Sequence, residues 1–122
     1  LDWDECLKLS AGKRDLALDI LKMLIDGIPS SKEKLSKSLN EYNLPALLAH
    51  THYLHGATRY CGVPNLRYLT RQLEVIIKES LKYNTENEAH IKQQITQQVN
   101  HVLTQLDELC AIDLEEMMTN MG

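Results

Sequence analysis

Apolar residues recur every three or four positions through most of the chain, and this spacing constrains the fold more than any other feature. The clearest run lies in the last third of the sequence: Ile91, Ile95, Val99, Val102, Leu106 and Leu109. Such spacing puts side chains on one face of an α-helix, and that face must be buried against other elements. Phenylalanine is absent, and leucine, lysine, glutamate and glutamine are plentiful. This composition favours helix over sheet, so the sequence predicts an all-α fold.

Breaking and capping residues divide the chain into helices with short connections. The predicted helices span residues 2–11, 13–41, 44–61, 64–83 and 85 to at least 117. Gly12 ends the first helix, Pro29 is expected to kink the second, and a capping box, Thr85 with Glu88, opens the last. Short connections between long helices imply antiparallel neighbours. We therefore expect an up-down antiparallel four-helix bundle with an additional short N-terminal helix.

Length, charge and cysteine content exclude several classes of protein. The 122 residues fit one domain, residues 1–122, and a formal net charge of −4 argues against nucleic acid as a partner. No stretch of 18 apolar residues exists, so no membrane contact by this domain is expected. The 3 cysteines lack metal-type spacing and indicate buried free thiols in a reducing, cytoplasmic compartment. The first residue is Leu1, which suggests a piece of a longer polypeptide, and we expect a monomer.

The residues with chemical potential concentrate in the stretch 49–62. On a helical wheel, Gly56 and Arg59 fall within ~40° of His52, and His55 falls within ~60° of it. A glycine inside a helix costs ~0.5–1 kcal/mol relative to alanine, and here it leaves one flank of the imidazole uncovered. A neutral imidazole is a nucleophile near pH 7, and His55 and Arg59 could neutralise an anion carried on it. The pattern indicates a phosphate-accepting site, although a lone histidine is usually an ordinary surface residue.

Four further residues suggest a surface for a partner protein. Leu48 lies within ~40° of the candidate histidine, and an exposed leucine there, next to Ala49, favours docking. Between these pairs of residues, Gly62 has a different predicted role: it fits the left-handed backbone position that follows a helix end. An outer stripe of the fourth helix is expected to carry Arg67, Arg71 and Lys78, with Glu74 between them. This stripe is either a solvated face or, in its early part, a contact with an acidic partner.

The same residues resemble the histidine-containing phosphotransfer (HPt) domain. Its pattern is His-x-Leu-Lys-Gly, a second glycine six residues on, and later Leu-Glu; here the matching run is His52-Tyr53-Leu54-His55-Gly56-Ala57, then Gly62, then Leu73-Glu74. The opening Leu1-Asp2-Trp3-Asp4 and the run Tyr60-Cys61-Gly62-Val63-Pro64 are similar to the C-terminal HPt domain of BarA/GacS-type hybrid sensor histidine kinases. The resemblance covers roughly residues 1–82.

This resemblance implies a role in a two-component phosphorelay. His52 would accept a phosphoryl group from a receiver-domain aspartate of the parent kinase and pass it to a response regulator. The domain would be no enzyme on its own and would hold no cofactor, since the receiver brings Mg²⁺. It would form the C-terminal, cytoplasmic part of a membrane-anchored kinase. His55 stands where the family has lysine, so Arg59 is expected to carry more of the phosphate neutralisation.

Other functions remain open from the residues alone. A helical interaction module without phosphotransfer fits the same periodicity. His50, His52, His55 and Cys61 are metal ligands by type, but His50 lies ~160° from His52, which disfavours a shared ion. The dimerising helix of a histidine kinase also carries a phosphorylated histidine, but there an acidic residue usually follows it, and Tyr53 does not match. His50 is expected to be a flank or core histidine.

Overall fold

The structure, a computed structural model, describes residues 1–83 and 88–120. The α-helices are α1 (Trp3–Leu9), α2 (Arg14–Asp26), α3 (Ile28–Asn40), α4 (Leu44–Ala57), α5 (Pro64–Lys82), α6 (Glu88–Cys110) and α7 (Leu114–Asn120), with a 3₁₀ turn at Thr58–Tyr60. Within these ranges there is no β-strand. None of the helices described is long and apolar enough to cross a membrane. The predicted all-α fold is confirmed.

Four helices, α3 to α6, form the bundle. Helix α4 packs on both α3 and α5, and α6 closes the ring by packing on α5 and α3. Each contributes a fully buried leucine to the core: Leu35, Leu47, Leu73 and Leu106. Burying such a side chain stabilises the fold by ~1.5–3 kcal/mol. The four-helix bundle with a short N-terminal helix is therefore confirmed, and the bundle positions α4 with one face toward solvent.

The long second helix of the prediction is two helices, α2 and α3, joined at Gly27. Gly27 keeps right-handed helical dihedral angles (φ −81°, ψ −10°), and its carbonyl accepts from the Ser31 N–H at 3.1 Å. The interruption is at Gly27 rather than at Pro29. Pro29 lies in the first turn of α3, where a backbone N–H is not required, so it does not break the helix at its own position.

Two other boundaries differ from the prediction. Helix α4 ends at Ala57 instead of reaching Cys61, and the Thr58 hydroxyl donates to the carbonyl of His55 where the chain tightens into the 3₁₀ turn. The last helix ends at Cys110, and Asp113 accepts from the Glu116 N–H at 3.1 Å, which starts α7. The predicted cap at Thr85 lies outside the described residues.

Gly62 is required for a different reason than the one predicted. It does not adopt a positive φ; that conformation occurs at Gly12 (φ 77°), which follows α1. A Cβ atom on Gly62 would lie 1.9 Å from the Asp2 carbonyl oxygen and 2.8 Å from Cys6 Sγ. Glycine is needed at this position because α1 passes directly over the turn between α4 and α5.

Candidate functional site

Helix α4 begins at a side-chain cap and presents a histidine to solvent. Asn43 accepts from the Ala46 N–H at 3.2 Å, which satisfies one of the free donors of the first turn. Leu47 and Leu54 are buried in the core, while 69% of the His52 side chain is exposed. The predicted helical face is thus present in the structure, with an accessible imidazole opposite the apolar contacts.

His52 is held by a carboxylate from α5. Its Nδ1 lies 3.0 Å from Glu74 Oε1, and only 10% of the Glu74 side chain is exposed. An ionised carboxylate can only accept, so Nδ1 carries the proton in this pair. The neutral ring then has its lone pair on Nε2, at the opposite edge from Glu74. The arrangement therefore fixes the ring and leaves the outer nitrogen free to act as a nucleophile.

Glu74 is the site residue that the helical pattern assigned wrongly, because it was placed on an outer stripe. It is buried, and its second carboxylate oxygen lies 3.7 Å from Lys78 Nζ. A local signal could have indicated that Glu74 is buried. It directly follows Leu73 and lies one turn before Ile77, and both of these apolar residues are buried. The Leu-Glu pair of the family motif gives a second signal. Periodicity alone does not indicate which residue of a neighbouring helix a carboxylate will meet.

A second histidine on α4 is held in a parallel way. His55 Nδ1 lies 3.0 Å from the hydroxyl oxygen of Thr70, which is fully buried. Thr70 has a single hydroxyl proton and donates it to the Leu66 carbonyl at 2.8 Å, so its oxygen accepts from the His55 ring. Thr70 and Glu74 are one turn apart on α5. The antiparallel packing of α4 and α5 therefore leaves Nε2 as the available nitrogen of both histidines.

The flank beside His52 is open, as the sequence predicted. A Cβ atom on Gly56 would have nothing within 4 Å, so no contact inside the chain requires glycine there. Arg59 is exposed and lies in the 3₁₀ turn instead of on the helix. Because a 3₁₀ turn has about 3.0 residues per turn, the wheel angle predicted for Arg59 does not apply.

Some of the predicted docking residues are exposed, whereas others contact the rest of the chain. Leu48 is half-buried and packs against the core, so it is less exposed than predicted, whereas Ala49 and Arg71 are exposed. Arg67 is not a free outward residue, because its Nη2 atom contacts the Thr58 carbonyl at 3.0 Å and other groups inside the chain.

An apolar groove of about 730 Å³ runs along α4 on the side of α2 and α3. Ala49 and His50 belong to its lining, together with Met23, Tyr53 and Tyr60, whose side chains are largely exposed. His50 is half-buried, in agreement with a flank position. An exposed apolar surface next to a reactive side chain is typical of a protein-binding site.

The cysteines are free thiols in two environments. Burial raises the pKa of Cys61 to about 11 and also raises that of Cys6. Cys110 is exposed, which corrects the prediction that all of the thiols are buried. Within residues 1–83 and 88–120, no three histidine, cysteine, aspartate or glutamate side chains are grouped so that they could hold a metal ion.

Comparison with known families identifies the family to which the chain belongs. The family model described as Hpt domain matches residues 19–112, which include α4 and all three of its histidines. This chain belongs to the Hpt domain family. HPt domains are phosphotransfer domains, so the chain is a phosphotransfer domain of the two-component phosphorelay.

The relatives of this HPt domain are much longer proteins. Sensor protein GacS of Pseudomonas syringae pv. syringae is 41% identical over 86 residues, which cover 70% of this chain and 10% of the relative. Signal transduction histidine-protein kinase BarA of Escherichia coli K12 is 38% identical over 82 residues, 67% of this chain and 9% of the relative. The chain thus spans about a tenth of the length of the curated relatives it matches.

A solved structure agrees with this assignment. The HPt domain of a sensor hybrid histidine kinase from Shewanella superposes with a TM-score of 0.65 at 31% sequence identity. The match covers 89% of this chain and 92% of that one. The helical bundle described above is therefore the HPt fold.

Proposed function

We propose that His52 is the residue that carries the phosphoryl group. Its Nε2 lone pair attacks the phosphorus of a receiver-domain aspartyl phosphate, the N–P bond forms, and the P–O bond to the aspartate breaks. The aspartate leaves as a carboxylate, and the Nδ1 proton stays between His52 and Glu74. Positive charge develops on the ring as the N–P bond forms, and the buried Glu74 carboxylate, 3.0 Å away, stabilises it. This contact is the observation that supports the proposal most strongly.

The neighbouring cations would stabilise the phosphoryl oxygens. His55 offers Nε2, because its Nδ1 is held by Thr70, and it can donate from Nε2 when the ring is protonated. Arg59 is always charged and lies in the 3₁₀ turn that follows α4. Gly56 leaves open space on α4 one turn after His52, where the transferring group would lie. Phosphoryl transfer depends mainly on such positioning and charge neutralisation.

The partner would be a receiver domain, docked on the groove beside α4. Met23, Tyr53 and Tyr60 present apolar surface there, and Tyr53 directly follows the acceptor histidine in the sequence. The sequence has no glycine-rich nucleotide-binding motif. We therefore propose that the domain holds no cofactor and that the receiver supplies Mg²⁺. Receivers of a parent kinase and of a response regulator would use the same surface in turn.

The relatives suggest the setting in which the domain works. GacS and BarA are sensor kinases, and this chain matches about a tenth of each. We propose that the domain is the C-terminal part of a hybrid sensor histidine kinase, acts in the cytoplasm as a monomeric unit, and is a carrier without enzymatic activity of its own.

Transfer of radiolabelled phosphate from a phosphorylated receiver tests the assignment of His52. The wild-type domain and His50→Gln should take up label, and His52→Gln should take up none. His101→Gln, on the exposed surface of α6, is the control for a loss of histidine in general. Label on His52→Gln together with its loss from His50→Gln would contradict the proposal. A wild-type domain that binds the receiver but takes no label would be an interaction module instead.

A further inference from the structure

The N-terminal helix is joined to the turn between α4 and α5. The Asp2 N–H donates to the Gly62 carbonyl at 2.7 Å, and the Gly62 N–H donates to Cys6 Sγ at 3.1 Å. The close approach leaves no space for a side chain on Gly62, as described above. Helix α1 therefore rests directly on the segment that connects the acceptor helix to α5.

Arg67, in the first turn of α5, contacts this segment at two points. Its Nη2 atom contacts the carbonyl oxygens of Thr58 at 3.0 Å and Cys61 at 2.9 Å, at the two ends of the turn. The same atom forms an ion pair with the Glu5 carboxylate of α1. A charged donor shared between these two carbonyls and the Glu5 carboxylate holds the turn after α4 against the start of α5.

Arg67 also belongs to a polar row on the face of α5 that meets α4. Arg67, Thr70 and Glu74 follow a 3,4 spacing, which places them on one side of the helix. Arg67 contacts the end of the acceptor helix, and the other two contact the rings of His55 and His52. The three contacts therefore set the position of α5 along and around α4.

We infer that Arg67 and Glu5 are positioning residues for His52. They hold the start of α5 so that Glu74 meets Nδ1 of the acceptor histidine, and they act through the turn without touching the phosphoryl group. This inference rests on the proposed function for its effect on transfer, but its effect on the ring of His52 is independent of that function.

Two measurements on the same variants test the inference. Arg67→Met removes the charge and all three contacts, while Arg67→Lys keeps a cation that can donate to the carbonyls. ¹⁵N NMR of the unphosphorylated domain reports which ring nitrogen of His52 carries the proton. We expect Arg67→Met to lose the Nδ1–H preference and to slow transfer at saturating receiver about tenfold. KM for the receiver should change less than about twofold, and Arg67→Lys should recover part of the rate.

If Arg67→Met does not fold, Glu5→Gln provides the test, because it removes the charge of the ion pair and keeps the shape of α1. It should shift both readouts in the same direction as Arg67→Met, by a smaller amount. Asp4→Asn and Lys8→Met, exposed on the same helix, are the matched controls and should change neither.

The outcomes distinguish this inference from the proposed function. Folded variants of Arg67 and Glu5 with an unchanged His52 tautomer and unchanged transfer would overturn it. A rise in KM alone would also overturn it, because Arg67 would then be a docking residue. If the tautomer shifts as expected while the wild-type domain takes no label, the inference holds and the proposed function fails.

Discussion

His52 and His55 are each held at Nδ1 by a residue of the neighbouring helix, and they differ in the charge of that residue. Glu74 provides a buried carboxylate to His52, whereas Thr70 provides a neutral hydroxyl to His55. A carboxylate stabilises positive charge on the ring during N–P bond formation, and a hydroxyl does so much less. We therefore expect the two histidines to have different roles, His52 as nucleophile and His55 as a donor to the phosphate.

Removal of the Glu74 carboxylate should slow phosphorylation of His52. A hydrogen bond to a charged group contributes ~1.5–3 kcal/mol, so Glu74→Ala should lower the transfer rate about tenfold or more. Glu74→Gln should lower it less, since the amide oxygen still accepts from Nδ1. The initial rate of label uptake from a phosphorylated receiver measures both. An unchanged rate in Glu74→Ala would show that the contact has no part in the reaction.

Replacement of His55 by the lysine of the family pattern should preserve transfer. A lysine is charged at all pH values near neutrality, so His55→Lys should keep the phosphohistidine for as long as the wild-type domain, or longer. The half-life of labelled domain after removal of the receiver measures this. His101→Lys, far along the exposed face of α6, controls for the added charge. A large drop in transfer would mean that the neutral imidazole of His55 is required.

At the scale of elements, the two glycines near the site differ in the space that the structure leaves for a side chain. Gly56 has open space where a side chain would be, and Gly62 has the Asp2 carbonyl there. The first glycine is thus not explained by contacts within the chain, and the second is explained by the passage of α1. We propose that access for the partner is the reason for Gly56.

Alanine at these two positions should have opposite effects. Gly56→Ala should leave the domain as stable or up to about 0.5–1 kcal/mol more stable, because alanine favours helix, and yet slow transfer by narrowing the flank of His52. Gly62→Ala should lower the free energy of unfolding by about 1–3 kcal/mol, because α1 must move. Chemical denaturation and the transfer assay together measure this pair. If Gly56→Ala transferred phosphate at the wild-type rate, Gly56 would not be needed for access.

The helices themselves could be predicted from the sequence, because apolar spacing is a local signal. The predicted faces of α4 and α6 are the buried and exposed faces in the structure, except that Leu48 of α4 is half-buried. The interruptions could not all be placed, since the end of α4 depends on how Thr58 bonds back to the helix. The partner of His52 and the reason for Gly62 depend on residues from distant parts of the chain, which periodicity does not identify.

At the scale of the whole molecule, the bundle separates an inert interior from the reactive face of α4. Cys61 is buried in the turn that follows that helix, and Cys6 is the buried residue of α1, next to Gly62. Burial disfavours the charged thiolate, which is the reactive form of cysteine. The interior thiols should therefore report on the integrity of the fold, while Cys110 reports only on solvent access.

Alkylation should distinguish these thiols. At about pH 8, iodoacetamide should modify Cys110 in the native domain, and Cys6 and Cys61 only on unfolding. The raised pKa of Cys61, about 11 against the ordinary 9.0, means that the folded state binds the thiol proton more tightly. Its contribution to stability is present below about pH 9 and is lost as the pH rises to about 11. Mass spectrometry follows the modification, and native modification of Cys61 as fast as Cys110 would contradict a closed interior.

The attachment site of the phosphoryl group tests the central claim most directly. NMR of the ¹⁵N-labelled domain after phosphorylation by a receiver identifies the nitrogen that is coupled to phosphorus. Our account predicts Nε2 of His52, with the proton retained on Nδ1 beside Glu74. Phosphorus bonded to Nδ1 of His52, or to His55, would contradict it.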